Sequence, residues 1–313
     1  MERIVDIASE GRHLRVLRGF LIVEEGGGAE VGRVPLDDVH AVIVHAHGVT
    51  WSANLVAALA ERGSPVVFCA ANHSPVAVTL PLVGNHAQNA RMRAQWAASK
   101  PLAKQLWRRI VMAKIGMQAS LLGAQGVAGG AGLAAMATRV RSGDEGNLEA
   151  QAARRYWPLL MGSDFRRDRE AEGANSLLNY GYAIMRATVA RAVVAAGLHP
   201  TMGIGHANRG NALALADDLI EPFRPLVDGL VARMALAGEP MLLDPATKRR
   251  FARLIAFDLT VDGQASPVSQ AAIRLAQSLA RAFETGRPTL SIFQPPTPLQ
   301  WSRLGEKLTE EEV

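Results

Sequence analysis

The chain has 313 residues, a net charge of +5, and 49% hydrophobic against 20% charged residues, a composition typical of a soluble, well-cored protein of about two domains. It contains no uncharged apolar run long enough for a membrane-spanning helix, and its N-terminus lacks the layout of a signal peptide. A single cysteine, Cys69, excludes an intramolecular disulfide, so we expect a cytoplasmic protein without a membrane partner.

The first eighty residues show the short β-branched runs and turn residues that are typical of strands. Strands are predicted at 3–7, 14–17, 20–23, 41–44, 65–68 and 76–80. Ser52 as N-cap and Gly63 as C-terminal stop delimit one helix between them. The apolar run around Cys69 favours a buried strand thiol over a nucleophile. Residues 1–82 are therefore predicted to form a small β-rich N-terminal domain.

Beyond residue 82 the hydrophobic period changes to 3.6, and alanine, leucine and arginine dominate. Helices are predicted at 88–97, 101–120, 147–160, 174–196, 210–236, 245–257 and 267–285. Pro222 and Pro225 each remove a backbone donor, so we expect the fifth of these helices to kink or restart there. Residues 123–132 are predicted to be a glycine-rich connector, and not a phosphate loop, because no Gly-Lys-Ser/Thr follows.

These elements define the expected domain organisation. A linker with the first helix covers 83–100, an α-helical domain covers 101–294, and 295–313 is a tail. The predicted fold class is α+β, in which a small β-rich N-terminal domain is followed by a larger all-α C-terminal domain.

A long segment of the chain carries positive charge only. Between Glu61 and Asp144 lie ten basic residues and no acidic one, whereas the rest of the chain has 24 basic and 29 acidic residues. Such segregation favours a phosphate-binding surface, although clustering on a solvated helix face is the alternative. The candidate DNA contacts are Arg91, Arg93, Lys104, Arg108 and Arg109.

Two separate segments each place one polar side chain in an otherwise small or apolar setting. Glu149 lies in the first turn of a predicted helix that Asn147 can cap, and small residues share its helix face. The alternative is a glutamate that only interacts with the helix dipole. His206 lies in a loop after Gly203 and Gly205, where the backbone can approach a ligand closely, although a structural or exposed histidine is also compatible.

A third segment places acidic residues within one helical turn. Asp217 and Asp218 are at i−4 and i−3 from Glu221, so their like charges repel unless a cation or the nearby Arg224 relieves them. Taken with Glu149 and one imidazole, these carboxylates make a site rich in oxygen ligands with one nitrogen. Such a site suits Mg²⁺ or Mn²⁺, and the imidazole favours Mn²⁺.

At these three segments the sequence resembles the CRISPR-associated spacer-acquisition endonuclease and integrase family, the larger of the two near-universal adaptation proteins. The resemblance runs from the N-terminus to about residue 290. The motif sequences are most similar to those of the type II members. The matching stretches are 147–156 with Glu149, 175–182, 203–206 with His206, and 217–228 with Asp218 and Glu221.

The resemblance implies a divalent metal, Mn²⁺ or Mg²⁺, bound by Glu149, His206 and Glu221, with Asp218 as a further candidate ligand. It implies that the β-rich domain mediates dimerisation and partner contacts and that the helical domain is catalytic. It also implies that the chain forms homodimers and that two such dimers flank a dimer of a small ferredoxin-like adaptation partner, which gives a hetero-hexamer. This assembly would insert double-stranded foreign DNA fragments at a CRISPR repeat.

Two other functions remain open from the residues alone. A non-catalytic nucleic-acid-binding scaffold would use the basic segment, and its acids would be structural. A metal hydrolase for a small phosphorylated metabolite would account for the acids, but not for the 82 residues without one.

Overall fold

The N-terminal part of the chain forms two four-stranded sheets and one helix. The structure is a computed structural model that describes residues 2–70, 73, 75–205 and 210–305. The strands are β1 Arg3–Ile7, β2 His13–Leu17, β3 Phe20–Glu24, β4 Glu30–Pro35, β5 Val39–Val44, β6 Thr50–Trp51, β7 Val66–Cys69 and β8 Pro75–Thr79. Their orders are β4-β3-β2-β6 and β1-β5-β7-β8. Helix α1, Ala53–Glu61, begins after the predicted cap Ser52, whose side chain accepts a hydrogen bond from Leu55 N.

Strand β5 lies inside the second sheet and is buried along its whole length. Because successive side chains point to opposite faces, Val42 and Val44 pack in a small N-terminal core, whereas Ala41 and Ile43 pack against the helical part. Cys69 on the neighbouring strand joins the same helical core, and burial raises the pKa of its thiol to about 12. The prediction of a buried strand thiol is confirmed.

The remainder of the chain is mainly helical. Its helices are α2 Gln88–Trp96, α3 Lys100–Ala124, α4 Gly130–Thr138, α5 Leu148–Met161, α6 Ala174–Ala195, α7 Ala214–Leu219, α8 Arg224–Leu236, α9 Pro245–Ala252, α10 Val268–Thr285 and α11 Pro298–Arg303. Helix α6 is the central one: most of its side chains are buried, and it contacts α7, α8, α9, α10 and β5. Among the described residues, no helix is both long and apolar enough to cross a bilayer.

The prediction that the C-terminal domain is all-α is wrong in one place. Strands β9 Asp258–Val261 and β10 Gln264–Pro267 form an antiparallel hairpin between α9 and α10. Asp262 and Gly263 connect them with positive φ angles of 50° and 79°, as a two-residue hairpin turn of type I′ requires. The class α+β holds, with a hairpin inside the helical part.

The glycine-rich connector is shorter than predicted, since α3 extends to Ala124 and α4 already begins at Gly130. A Cβ added at Gly130 would lie 2.8 Å from the Ala119 carbonyl oxygen, so this glycine permits close packing of α4 on α3. The predicted restart near Pro222 is confirmed, because a 3₁₀ turn, Glu221–Phe223, separates α7 from α8. The domain boundary near residue 82 stays a prediction.

Candidate active site

Glu149 lies in the first turn of α5, as predicted, but a different residue caps this helix. The Asp144 carboxylate accepts hydrogen bonds from the backbone N–H groups of Leu148 and Glu149, each at 2.9 Å. Asn147, the predicted cap, has a left-handed φ of 49° and makes no side-chain capping bond. Asp144 therefore fixes the backbone from which the Glu149 side chain projects.

Glu221 opens the 3₁₀ turn between α7 and α8, and its carboxylate is only 4% exposed. Arg224, three residues on, donates from Nε to Glu221 Oε1 at 2.9 Å. The other oxygen, Oε2, is buried and is paired with the ammonium of Lys114 on α3. The proline-interrupted turn thus presents a carboxylate whose two oxygens face different cations, Arg224 and Lys114.

The two glutamates converge on one cationic atom, Nζ of Lys114 on α3. This ammonium lies 2.6 Å from Glu149 Oε1 and 2.5 Å from Glu221 Oε2. Burial acts to raise the pKa of Glu221, but the charges and hydrogen bonds of Arg224 and Lys114 outweigh it and lower that pKa to about 2. The Lys114 pKa is raised, because both carboxylates outweigh its own burial. Side chains far apart in sequence therefore form one charged cluster.

The third predicted ligand, His206, lies outside the described residues. The loop leading to it is held by Asp218, whose Oδ2 accepts hydrogen bonds from the backbone of Ile204 at 2.6 Å and Gly205 at 2.9 Å. A Cβ at Gly205 would meet the Trp107 ring at 2.3 Å, so the loop packs directly on this indole. Asp218 thus anchors the backbone that immediately precedes the histidine in the sequence.

The acids that are neighbours in sequence do not share one partner. Asp217 forms a bidentate ion pair with Arg186, with contacts of 2.6 and 2.8 Å, and also accepts a hydrogen bond from Asn211. Glu221 is neutralised by Arg224, as the alternative interpretation allowed, and also by Lys114. The described residues contain no group of three His, Cys, Asp or Glu side chains arranged to hold a metal. His206 is not among those residues.

A buried carboxyl supports the arginine that holds Glu221. The Arg224 guanidinium lies 4.6 Å from the centre of the Tyr182 ring. The hydroxyl of Tyr182 and that of Tyr156 both donate to Asp228, which is 2% exposed. Burial raises the Asp228 pKa to about 6, against the lowering effect of the two tyrosine hydrogen bonds.

The raised Asp228 pKa predicts a pH-dependent contribution to stability. Since the folded pKa of about 6 exceeds the ordinary aspartate pKa of 3.8, stability from this group is fully present below pH 3.8 and is lost as pH rises through 6. The loss amounts to about 3 kcal/mol. Asp228→Asn should remove this loss, so the wild-type and variant free energies of unfolding should diverge between these pH values. Denaturant titrations that give parallel pH profiles would contradict this.

A cavity of about 650 Å³ opens beside the charged cluster. Its walls carry three carboxylates, including that of Glu221, and five cationic side chains. The cationic residues are Lys114, Arg167, Arg169, Arg186 and Arg224. This balance suits an anionic ligand that carries its own cation.

The five predicted DNA contacts differ in how far they are already engaged. Arg91 bonds Glu284 and the Ala196 carbonyl, Lys104 pairs with Glu145, and Arg108 donates to the Val140 carbonyl. Arg93 and Arg109 are exposed, and neither forms an ion pair within the described ranges. Both stay candidates for phosphate contact.

The sequence interpretation missed Lys114 as a site residue, although a signal was present. Lys114 is the one charged residue between Arg109 and Arg139, in a stretch dominated by apolar residues. A lysine buried in such a helix needs an acidic partner, and the sequence had already indicated Glu149 and Glu221 as site acids. Gln118 lies one turn further on α3 and lines the same cavity.

The fold and this site together define an α+β protein with a carboxylate pair and a basic cavity, as enzymes of phosphoryl transfer use. A family model described as "CRISPR associated protein Cas1" matches residues 5–240. CRISPR-associated endonuclease Cas1 of Neisseria meningitidis serogroup C (strain 8013) is 35% identical over 260 residues, covering 82% of this chain and 84% of the relative. The chain belongs to the Cas1 family.

Solved structures share the fold at low sequence identity. A casposase bound to integration product has a TM-score of 0.77 and 18% identity, covering 99% of this chain and 97% of its own. A chain of a Cas6-RT-Cas1–Cas2 complex has a TM-score of 0.73 and 19% identity, covering 93% of this chain and 36% of its own. At such identities the likeness is one of fold.

Proposed function

We propose that this chain is a metal-dependent DNA endonuclease and integrase of CRISPR adaptation, which inserts foreign DNA fragments into a CRISPR array. The observation that carries the proposal is the convergence of Glu149 and Glu221 on one cationic point beside a basic cavity. Membership of the Cas1 family, whose curated relative is named an endonuclease, supports it. Assignment to the type II systems stays a prediction.

The residues present fit a divalent cation. Glu221 Oε2 is buried and already faces a positive charge, and Glu149 offers a second oxygen to the same point. Oxygen ligands suit Mg²⁺ or Mn²⁺, and His206 would add one nitrogen. When bound, the ion would stabilise negative charge on the phosphate oxygens and orient the attacking group. Asp218 stays a candidate ligand as well as the anchor of the loop.

The chain's own residues prepare the site for strand transfer. Arg224, stacked on Tyr182, fixes the orientation of Glu221, while the arginines of the cavity wall supply charge for DNA phosphates. In the reaction a 3′-hydroxyl oxygen forms a bond to phosphorus of the repeat strand. The existing P–O3′ bond breaks and leaves a new 3′-hydroxyl. Water in place of the attacking hydroxyl gives cleavage at the same site.

Strand joining should require the metal and the loop histidine. We expect the purified protein to join a 3′-hydroxyl oligonucleotide to a repeat duplex with Mn²⁺ or Mg²⁺, and to stop when EDTA is added. His206→Ala should lose joining by about 10²-fold or more. Undiminished joining by that variant, or joining in the presence of EDTA, would contradict the proposal. DNA binding without any joining or cleavage would favour the scaffold.

We propose the same partners that the family resemblance implies. The chain would form a homodimer, and two such dimers would flank a dimer of a small ferredoxin-like adaptation partner in a hetero-hexamer on double-stranded DNA. A structural neighbour described as a Cas6-RT-Cas1–Cas2 complex supports a second adaptation protein as partner. Light scattering of the chain alone and with that partner would test both assemblies.

Binding to duplex DNA should depend on salt through the exposed arginines. Each phosphate contact contributes about 0.9 to the slope of log K against log salt. The double variant Arg93→Gln with Arg109→Gln is therefore expected to reduce the slope by about 2. Fluorescence anisotropy at several salt concentrations measures it. Arg33→Gln is the control, because the Arg33 side chain lies on the first sheet and is 60% exposed. A slope for the double variant equal to that of the wild type would refute these contacts.

A further inference from the structure

Lys114 occupies the point at which the two site carboxylates meet. Its Nζ lies within 2.6 Å of an oxygen of each glutamate, and its side chain is only 12% exposed. The local charge is already balanced, since Lys114 and Arg224 face Glu149 and Glu221. A divalent cation bound by the same oxygens would bring two positive centres into one small space, where their repulsion is strong.

A second acceptor lies on the same helix. Gln118 lies four residues after Lys114 on α3, so the two side chains share a face. Gln118 is only 3% exposed, and its buried Oε1 atom has no hydrogen-bond partner. Both side chains line the 650 Å³ cavity, which gives the lysine room to move. A buried acceptor without a donor is costly, and an ammonium would satisfy it.

We propose that Lys114 is a built-in counter-ion with two positions, and that a divalent cation displaces it from the Glu149–Glu221 pair toward Gln118 and the cavity. Without the cation, the ammonium prevents repulsion between two partly buried carboxylates and keeps them together. With the cation, it faces the cavity, where it is available to a DNA phosphate. This inference rests on the proposed function, because it assumes that the same carboxylates bind a metal.

The first test is calorimetric titration of Mn²⁺ into metal-free protein. Lys114→Met removes the competing ammonium, so it should bind Mn²⁺ about tenfold more tightly than wild type, the scale of effect seen for groups that contact metal ligands. Its melting temperature without metal should fall, and Mn²⁺ should restore it. Lys104→Met, on the exposed part of the same helix and paired with Glu145, should change neither quantity. Equal or weaker Mn²⁺ binding by Lys114→Met would overturn the inference.

A second test uses the wild-type chain and therefore does not depend on the variant folding. Acetylation of lysine amines, read by mass spectrometry, should rise several-fold at Lys114 when Mn²⁺ is added and stay constant at Lys104. Glu149→Gln shows whether a negative result contradicts only the counter-ion role of Lys114 or the metal site as well. Mn²⁺ binding that is lost in Glu149→Gln, with no change in Lys114 labelling, overturns the counter-ion alone. Mn²⁺ binding that Glu149→Gln leaves intact overturns the metal site itself.

Discussion

Glu149→Gln is expected to reduce strand joining by about 10³-fold while leaving the protein folded. The amide keeps the shape of the side chain but removes the negative charge that would bind the cation beside Glu221. Joining is measured with a labelled 3′-hydroxyl oligonucleotide at saturating Mn²⁺, and circular dichroism verifies the fold. We expect Glu221→Gln to lose activity equally, since each carboxylate supplies one side of the site.

Glu145→Gln is the matched control for this experiment. Glu145 lies one turn before Glu149 but is 67% exposed and faces Lys104 on the surface. Its variant should join strands within about twofold of wild type, as surface substitutions usually do. If Glu149→Gln retained similar activity, Glu149 would have no part in catalysis.

Arg224→Met is expected to destabilise the fold by about 3 kcal/mol, because it removes one partner of a buried ion pair. Glu221 is 4% exposed and would keep Lys114 as its one remaining cationic partner among the described residues. The stacking on Tyr182 would be lost as well. Denaturant unfolding gives the change in free energy.

Two further variants serve as comparisons for the change in the free energy of unfolding caused by Arg224→Met. Arg224→Lys keeps the charge but not the planar fork, so it should recover part of the stability. Arg33→Met breaks an exposed pair with Glu30 and should cost less than about 1 kcal/mol. A loss for Arg224→Met no larger than that for Arg33→Met would show that the buried pair does not hold Glu221.

The architecture could be predicted where hydrophobic periodicity was strong. Strand β1 and helix α6 were predicted within a residue of their observed ends, because each has an unbroken apolar pattern. Strand β4 was missed because Glu30 and Arg33 make its edge polar and it has no fully buried residue. The Asp262–Gly263 turn was a hairpin signal that the helical pattern around it concealed.

The site could be predicted only in part. Family-like motifs identified Glu149 and Glu221, and the structure brings both to one atom. That the atom belongs to Lys114 depends on how α3 packs against α5 and the turn before α8, which no local pattern encodes. The Asp144 cap was likewise missed because its backbone is left-handed, with a φ of 50°, before the helix begins.

The most direct measurement is anomalous diffraction from a crystal soaked in Mn²⁺. We predict a single strong peak per chain, within ligand distance of carboxylate oxygens from both Glu149 and Glu221, with the His206 ring completing the set and Lys114 moved away. A peak that contacts neither glutamate, or an empty pair at saturating Mn²⁺ with Lys114 still between them, would contradict the account.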